Sequence, residues 1–199
     1  MPNRILVLFA HPLYEKSKVH KSLVNHITDG VTFHDLYETY PEFNIDVEKE
    51  KQLLLNHDII IWQHPIYWYS CPAILKQWID MVLEVGWAYG PGGTALQGKL
   101  VMQVISTGGA RATYKPEGFH HNTIHEFLAP FIRTAELCKM KYLPPFVAHG
   151  SHRATANDLI AFGQDYAHIL DYFKTHDADF EGFQEFEYIN DWFIEKGKI

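Results

Sequence analysis

Apolar runs alternate along the chain with segments of helical periodicity. Ile5-Leu6-Val7-Leu8-Phe9 is apolar at every position, which is typical of a central parallel strand covered on both faces. After it, Ser17 is placed to act as an N-cap, and Val19, Leu23 and Ile27 follow at four-residue spacing. The chain is therefore predicted to begin with a buried strand and an amphipathic helix.

The same alternation continues to about Phe173. Four more strands are predicted, at residues 31–36, 58–62, 100–106 and 142–147. Helices are predicted between them: one that ends at residues 53–55, one whose first residue is Pro72, one over residues 123–138, and a last one from an Asn157 cap to about Phe173. Pro144 and Pro145 interrupt the fifth strand, which favours a position at a sheet edge.

Five strands that alternate with helices indicate one α/β domain with a doubly wound parallel sheet, because parallel strands need right-handed helical crossovers. Ligands of such sheets bind beyond the carboxyl ends of the strands. The segments after Phe9, Trp62 and Ile105 are therefore the candidate site.

The first of these segments runs from His11 to His20. It has neither the GxGxxG pattern of dinucleotide-binding folds nor a P-loop. Taken alone, Ser17 is better explained by a plain N-cap, since caps are common. The alternative is a phosphate site, where a hydroxyl and free backbone amides meet the positive end of a helix dipole.

The second segment contains three adjacent aromatic residues, Tyr67, Trp68 and Tyr69. Neither helical nor strand spacing places all three on one face, so they suit a loop that lies along a flat aromatic ligand or a hydrophobic dimer contact. Cys71 follows near a helix N-terminus, where a thiol pKa is sometimes lowered, but a packing role is the simpler interpretation.

The third segment, Ser106-Thr107-Gly108-Gly109, contains paired glycines. Glycines allow a close approach of the backbone to a ligand, although a simple turn also explains them.

Composition narrows the choice of function. The net charge of −7 argues against a nucleic-acid partner. Cys71 and Cys138 form no disulfide framework, which suits a reducing, cytoplasmic setting. The thirteen histidines lack a metal-ligand spacing, so no metal site is predicted. Residues 59–75 carry no charge but contain Pro65 and Pro72, and indicate a buried strand and turn, not a membrane span.

Four motifs carry a resemblance to a known family. AHPxxxxS ends at Ser17, PIYWYSCPAILKQWID covers residues 65–80, WAYGPGGTALQGK covers 87–99, and STGG covers 106–109. Together they resemble the flavodoxin-like NAD(P)H:quinone oxidoreductases, and most of all the bacterial ancillary subunits of glutathione-gated potassium efflux systems. The resemblance covers about residues 4–175.

The resemblance implies a three-layer flavodoxin-like fold with five parallel strands in the order 2-1-3-4-5, and a homodimer that binds a flavin. FMN is expected, with FAD as the alternative. The expected flavin-binding residues are His11, Ser17, Lys18, Val19, His20, Pro65, Ile66, Tyr67, Trp68, Tyr69, Ser106, Thr107, Gly108 and Gly109. Tyr114 and His120 are expected to assist hydride transfer, and Tyr89 either covers the substrate or packs in the fold.

The function implied is hydride transfer from NADH or NADPH, through FMN, to quinones or similar electrophiles by a ping-pong mechanism. The cofactor would carry the chemistry, so no catalytic triad or metal is required. The alternative is a regulatory subunit at the inner face of the cell membrane that activates a potassium efflux transporter. An electron carrier of the flavodoxin type is the third interpretation.

The last residues, 176–199, lie outside the resemblance and form an extension to the domain of residues 1–175. They combine six aromatic side chains with seven acidic ones. Such a segment is expected to fold back on the domain or to dock on a partner.

Overall fold

A parallel sheet forms the centre of the molecule. The computed structural model describes residues 3–176 and 180–196. The strands are β1 (Ile5–Phe9), β2 (Thr32–Asp35), β3 (Ile59–Pro65), β4 (Leu100–Ser106), β5 (Lys141–Tyr142) and β6 (Phe146–Ala148). Their order is β2-β1-β3-β4-β5, with β6 also paired to β4, and every pairing is parallel. The predicted order and the doubly wound α/β class are confirmed.

The fifth position in the sheet is divided between two short strands. β5 pairs with the start of β4 and β6 pairs with its end. Between the pairs Val101↔Tyr142 and Val104↔Phe146, three steps along β4 correspond to four along its partner. The extra residue falls at Pro144 and Pro145, which have no N–H to donate to a ladder. The prolines therefore break the predicted strand 142–147 in two.

Helices cover both faces of the sheet, as the three-layer architecture requires. They are α1 (Lys18–Asn25), α2 (Leu36–Thr39), α3 (Val47–Leu55), α4 (Ala73–Val82), α5 (Ile124–Leu137), α6 (Ala156–Thr175), α7 (Phe180–Phe183) and α8 (Ile189–Lys196). Two 3₁₀ turns lie at Tyr14–Lys16 and Arg111–Thr113.

The alternation of side chains along β1 separates two cores. Leu6 and Leu8 belong to a buried cluster with residues of α3, α4 and α5. Ile5 and Val7 belong to a second cluster with residues of α1 and α6. Because both faces are covered, every position of β1 is apolar and buried.

Two predicted helix starts were wrong by one or two residues. Pro72 is the N-cap of α4 and not its first helical residue. Thr155, not Asn157, caps α6, because Thr155 and Asp158 form a reciprocal capping box that satisfies two backbone amides. α6 was also predicted to be the last helix, but the short helices α7 and α8 follow it.

The described part of the extension, residues 180–196, packs against the domain. Phe183, Trp192 and Phe193 join the core cluster of α1 and α6, and Tyr188 joins the other cluster. The extension was expected either to fold back on the domain or to dock on a partner, and residues 180–196 fold back on the domain. Residues 177–179 and 197–199 of the extension lie outside the described residues.

Within residues 3–176 and 180–196, none of the helices combines the length and the apolar composition that a membrane span requires. No group of three His, Cys, Asp or Glu side chains in the same ranges is arranged to hold a metal ion.

A buried carboxylate, Glu50 of α3, ties together the elements on one face of the sheet. It accepts hydrogen bonds from Tyr40 Oη at 2.6 Å, His34 Nε2 at 2.9 Å and Trp78 Nε1 at 2.8 Å. Burial acts to raise the pKa of Glu50, but the three donors outweigh it and lower the pKa below its ordinary value. Glu50 is therefore a charged group whose buried acceptors are satisfied by neighbours from β2 and α4 and from the loop between α2 and α3.

We expect Glu50→Gln to lower the free energy of unfolding by about 2–4 kcal/mol, since an amide cannot accept all three donors and loses the charge. Because folding depresses the Glu50 pKa, its stabilisation is present above the unfolded pKa and is lost as pH falls through the folded pKa. Urea unfolding of wild type and Glu50→Gln should therefore converge in acid. Glu48→Gln is the control, since that side chain is 79% exposed. Equal losses in the two variants would contradict this role.

Candidate functional site

The carboxyl ends of β1, β3, β4 and β6 meet at one edge of the sheet, and the loops that follow them form two adjoining cavities. The first cavity has a volume of about 310 Å³. It is lined by His11, Leu13, Lys16, Ser17, Lys18, Val19, Pro65, Tyr67, Ser106, Ser151 and His152. These lining residues include two lysines and no acid, so the cavity suits an anion.

The N-terminus of α1 adds to this positive character. Ser17 caps the helix, and its Oγ accepts the His20 backbone N–H at 3.1 Å. Lys18 and Val19 are the first two helical residues, so their amides have no carbonyl partner within the helix. Free amides and the helix dipole together favour a bound phosphate.

His11 lines the same cavity as a neutral ring. Burial lowers its pKa to about 4. The backbone N–H of Leu13 donates to His11 Nδ1 at 3.1 Å, so the proton of the neutral ring lies on Nε2. His11 thus offers a hydrogen-bond donor without adding a positive charge.

His20 lies beneath the cavity and does not line it. It is fully buried, and its Nε2 is 3.0 Å from Ser106 Oγ, a contact that joins α1 to the end of β4. Burial lowers the pKa of His20 well below its ordinary value, and the neighbouring His11 acts in the same direction.

The second cavity, of about 330 Å³, lies beside the first. It is lined by Ile66, Trp68, Tyr69, Gly108, Gly109, Tyr114, His120 and His152. His152 lines both cavities, so they meet at this side chain. A cationic cavity next to an aromatic one suits a ligand with a phosphate at one end and a flat ring at the other.

The aromatic loop, residues 66–69, has an unusual backbone. Trp68 and Tyr69 have φ angles of 49° and 64°, in the left-handed region that bulky residues rarely adopt. Tyr67 and Ser70 exchange backbone hydrogen bonds of 2.9 and 3.0 Å, which hold the turn closed. The Trp68 side chain is 93% exposed. Non-glycine residues held in this conformation cluster at binding sites.

Cys71, the next residue after this turn, is not an activated thiol. Burial raises its pKa to about 11, and the side chain packs against the core cluster. A thiol with a raised pKa is protonated at neutral pH and is a poor nucleophile. The packing interpretation of Cys71 therefore fits the structure.

The paired glycines approach the loop that follows β6. A Cβ built on Gly108 would lie 2.7 Å from His152 Nε2, closer than real Cβ atoms come to other atoms. Thr107 lies behind the glycines, where its Oγ1 donates to the Gly109 carbonyl at 3.0 Å. The glycines thus leave the lining formed by backbone, which is the condition for a close approach to a ligand.

Tyr114 and His120 form a stacked pair in the wall of the second cavity. Their ring centroids are 4.3 Å apart with an angle of 12° between the planes. The Gly109 backbone N–H donates to Tyr114 Oη at 3.4 Å, and His120 Nδ1 is buried without a hydrogen-bond partner. Two groups that can carry a proton therefore lie beside the glycine backbone.

The structure brings most of the predicted site residues together. Three of them line neither cavity: His20, Thr107 and Tyr89. Tyr89 packs against the core cluster, and its carbonyl accepts the Gly86 N–H at 2.8 Å. Their roles in ligand binding stay predictions.

Sequence reasoning missed four lining residues: Leu13, Lys16, Ser151 and His152. Leu13 and Lys16 lie in the segment already singled out. Ser151 and His152 follow β6, and the rule that ligands bind at strand carboxyl ends applies to this strand as well. The predicted fifth strand ends at residue 147, one residue before β6 ends, so the segment after it belonged among the candidate segments on the same rule.

The chain is also similar to known proteins. Residues 3–170 match the family model described as the flavodoxin-like fold. The chain is 44% identical over 173 residues to an uncharacterised NAD(P)H oxidoreductase, YrkL, of Bacillus subtilis (strain 168), which covers 86% of this chain and 98% of the relative. It is 40% identical over 172 residues to the glutathione-regulated potassium-efflux system ancillary protein KefG of Erwinia tasmaniensis, which covers 85% and 94%.

The chain is also similar to two solved structures. The general stress protein 14 of Treponema denticola, in complex with FMN, has a TM-score of 0.81 and 40% identity, and the match covers 85% of this chain and 99% of the other. An NADPH-quinone reductase of P. pentosaceus has a TM-score of 0.77 and 32% identity, with 88% and 99% covered. From its sheet order and these matches, the chain belongs to the family of proteins with the flavodoxin-like fold.

Proposed function

We propose that this protein is an FMN-dependent NAD(P)H oxidoreductase that reduces quinones or similar electrophiles. The observation that carries the proposal is the pair of cavities that meet at His152, one cationic at a helix N-terminus and one lined by aromatic side chains and glycine backbone. The FMN complex of the Treponema denticola relative and the NADPH-quinone reductase of P. pentosaceus support it.

The first cavity would hold the phosphate of FMN. The Lys18 and Val19 amides, Ser17 and the neutral His11 supply donors, and Lys16 adds positive charge. FMN is preferred over FAD because the similar structure contains FMN.

The second cavity would hold the flavin ring. The loop at Ile66-Tyr67-Trp68-Tyr69 would lie along one side of the ring and the loop Ser106–Gly109 along another. Backbone amides at this loop would stabilise negative charge near the ring. His20 and Thr107 would act from behind, through Ser106 and Gly109.

Bound FMN would supply the redox chemistry, accepting a hydride from NAD(P)H and passing it to the quinone. The residues of this chain bind, orient and handle protons. Tyr114 Oη and His120 would hold or deliver a proton beside the glycine backbone. One open face that serves both substrates in turn implies ping-pong turnover. NADH and NADPH both remain candidates for the donor.

A homodimer is part of the proposal. Large apolar side chains lie exposed near the second cavity: Trp68 at 93%, Phe119 at 79% and Tyr69 at 48%. Phe119 packs edge-on against His120, so this exposed surface continues into the cavity wall. A second copy would cover it and narrow the ring site. Tyr89 is proposed to contribute to substrate binding in the dimer.

A second candidate function is supported by the KefG relative, since the match extends over 94% of that protein. The chain would then act as an ancillary subunit at the cytoplasmic face of a potassium efflux transporter. The two functions share the same flavin site. A potassium antiporter gene beside the gene for this chain would favour the second.

We expect the purified protein to be yellow, to release FMN on denaturation, and to form a dimer. The anion-binding cavity and the aromatic loop are the physical reasons. Chromatography of the released flavin identifies the cofactor, and light scattering gives the oligomeric state. A colourless protein that takes up neither added FMN nor added FAD would overturn the proposed function.

Gly108→Val should raise the Kd for FMN by about tenfold or more, since a tenfold change needs only 1.4 kcal/mol. The new side chain would enter the space between Gly108 and His152. His152 is exposed and can move aside, so the unfolding midpoint should change little. Fluorescence titration with FMN measures the Kd.

The control for this variant is Ala129→Val on the exposed face of α5, which should leave the Kd for FMN unchanged. Wild-type affinity in Gly108→Val would show that the glycine loop, residues 106–109, does not contact the flavin.

Tyr114→Phe and His120→Gln should slow flavin reduction by NAD(P)H with little loss of bound flavin. A positioned proton donor contributes roughly 10²–10⁴-fold, and we expect the low end because the cofactor carries the hydride. Because the two rings stack, the double variant should lose less than the product of the single losses. Stopped-flow absorbance isolates this half-reaction.

The matched control is His121→Asn, because His121 is the neighbouring exposed histidine and asparagine tolerates its left-handed φ of 55°. Wild-type reduction rates in both test variants would remove Tyr114 and His120 from the site.

A further inference from the structure

The C-terminal extension contacts the loop that follows the paired glycines. Arg111, in the 3₁₀ turn of that loop, donates from Nη1 to Asp191 Oδ1 at 2.6 Å and from Nη2 to Asp191 Oδ2 at 2.8 Å. Its Nη2 also donates to Glu187 Oε2 at 2.5 Å. The guanidinium carbon lies 4.4 Å from the centre of the Tyr188 ring. Three residues of the extension thus fix one arginine.

Arg111 connects this contact to the cavity wall. Its carbonyl accepts the backbone N–H of Tyr114 at 3.1 Å, so the turn that Arg111 closes sets the position of Tyr114. The Gly109 N–H in turn donates to Tyr114 Oη. A shift of Arg111 would therefore move Tyr114, and with it the Gly109 backbone to which Tyr114 is hydrogen-bonded.

A second connection runs through Tyr188 and His149. The Tyr188 and His149 rings pack with centroids 5.4 Å apart. His149 Nδ1 lies 3.1 Å from Thr107 Oγ1, and that hydroxyl holds the Gly109 carbonyl. Tyr188 is buried, so its ring is confined between Arg111 and His149.

A third connection runs through Asn190 and β6. Asn190 Oδ1 accepts the Val147 backbone N–H at 2.8 Å. The loop after β6 then hydrogen-bonds to the glycine loop: the Ser151 N–H donates to the Thr107 carbonyl and the Gly150 N–H to the Gly109 carbonyl, both at 2.9 Å. The extension thus contacts two of the three loops that border the ring cavity, through Arg111 and His149.

The contacts of Arg111 fix the position of its side chain more than they stabilise the fold. The Arg111, Glu187 and Asp191 side chains are 47%, 44% and 27% exposed, and ion pairs between partly exposed side chains contribute little to the free energy of unfolding. The bidentate pairing with Asp191 and the ring of Tyr188 nevertheless fix the guanidinium in one orientation. Such an arrangement suits a positioning role.

We propose that residues 187–191, which we call the brace, are a positioning element that holds the loop of residues 106–114 in the shape that binds flavin and places Tyr114. The proposal rests on the proposed function for its effect on flavin. The family match ends at residue 170, so the brace is built from chain beyond the matched region.

The test uses two full-length variants of opposite charge change, Arg111→Gln and Asp191→Asn. If the brace acts through geometry, both variants should raise the Kd for FMN by about tenfold and slow flavin reduction at saturating NAD(P)H, with nearly unchanged unfolding midpoints. The double variant should be no worse than either single one, because both break the same contact. Arg111→Lys should recover part of the affinity.

Opposite effects of Arg111→Gln and Asp191→Asn on the Kd would indicate a simple charge effect and would overturn the proposal. Wild-type affinity and rate in both variants would overturn it too. The matched control is Arg133→Gln, which removes an exposed ion pair with Glu136 on α5 and should match the wild type.

A measurement without flavin separates this proposal from the proposed function. Hydrogen exchange of the Gly150 and Ser151 amides, observed by NMR in the apo protein, should be faster in Arg111→Gln and Asp191→Asn than in wild type and Arg133→Gln. Unchanged exchange rates in the two variants would overturn the role proposed for the brace, whether or not FMN binds. If the wild type binds no flavin but the two variants still exchange faster, the proposed function fails and the brace remains a positioning element of this loop.

Discussion

The parallel pairing of β3 with its two neighbours is the constraint on which the rest of the structure depends. Five residue pairs join it to β1, and seven join it to β4. Because all three strands run in the same direction, their carboxyl ends lie at one edge, and the loops after Phe9, Pro65 and Ser106 are brought together there. The residues that line the two cavities lie in these loops, in the loop after β6, at the last positions of β3 and β4, or in the first turn of α1.

Much of this arrangement could be predicted from the sequence because burial on both faces leaves a clear signal. A central strand must be apolar at every position, and β1 and the start of β3 are. The segment at Pro65–Tyr69 was recognisable for a related reason, since three adjacent aromatic residues do not fit one face of any regular element. The apolar runs therefore indicated the sheet, and the adjacent aromatic residues indicated the loop after β3.

Other features depend on contacts between distant residues, and no local pattern reports them. His152 enters the site only because β6 pairs with the end of β4, across a register change at the proline pair. His20 lies within a predicted binding segment, but its ring turns inward to Ser106, 86 positions away. The cap of α6 depended on a reciprocal bond between Thr155 and Asp158, which outweighs the presence of another polar residue at Asn157.

The side chain of Asn190 has a consequence for behaviour at high concentration. An outer strand normally presents unpaired backbone groups on which another chain can form a strand, a common start of aggregation. At β6, Asn190 engages both the N–H and the carbonyl of Val147, and Ile189 donates its N–H to the carbonyl of Pro145. Together with the two prolines, which lack the necessary N–H, the extension leaves this side of the sheet a poor template for fibril growth.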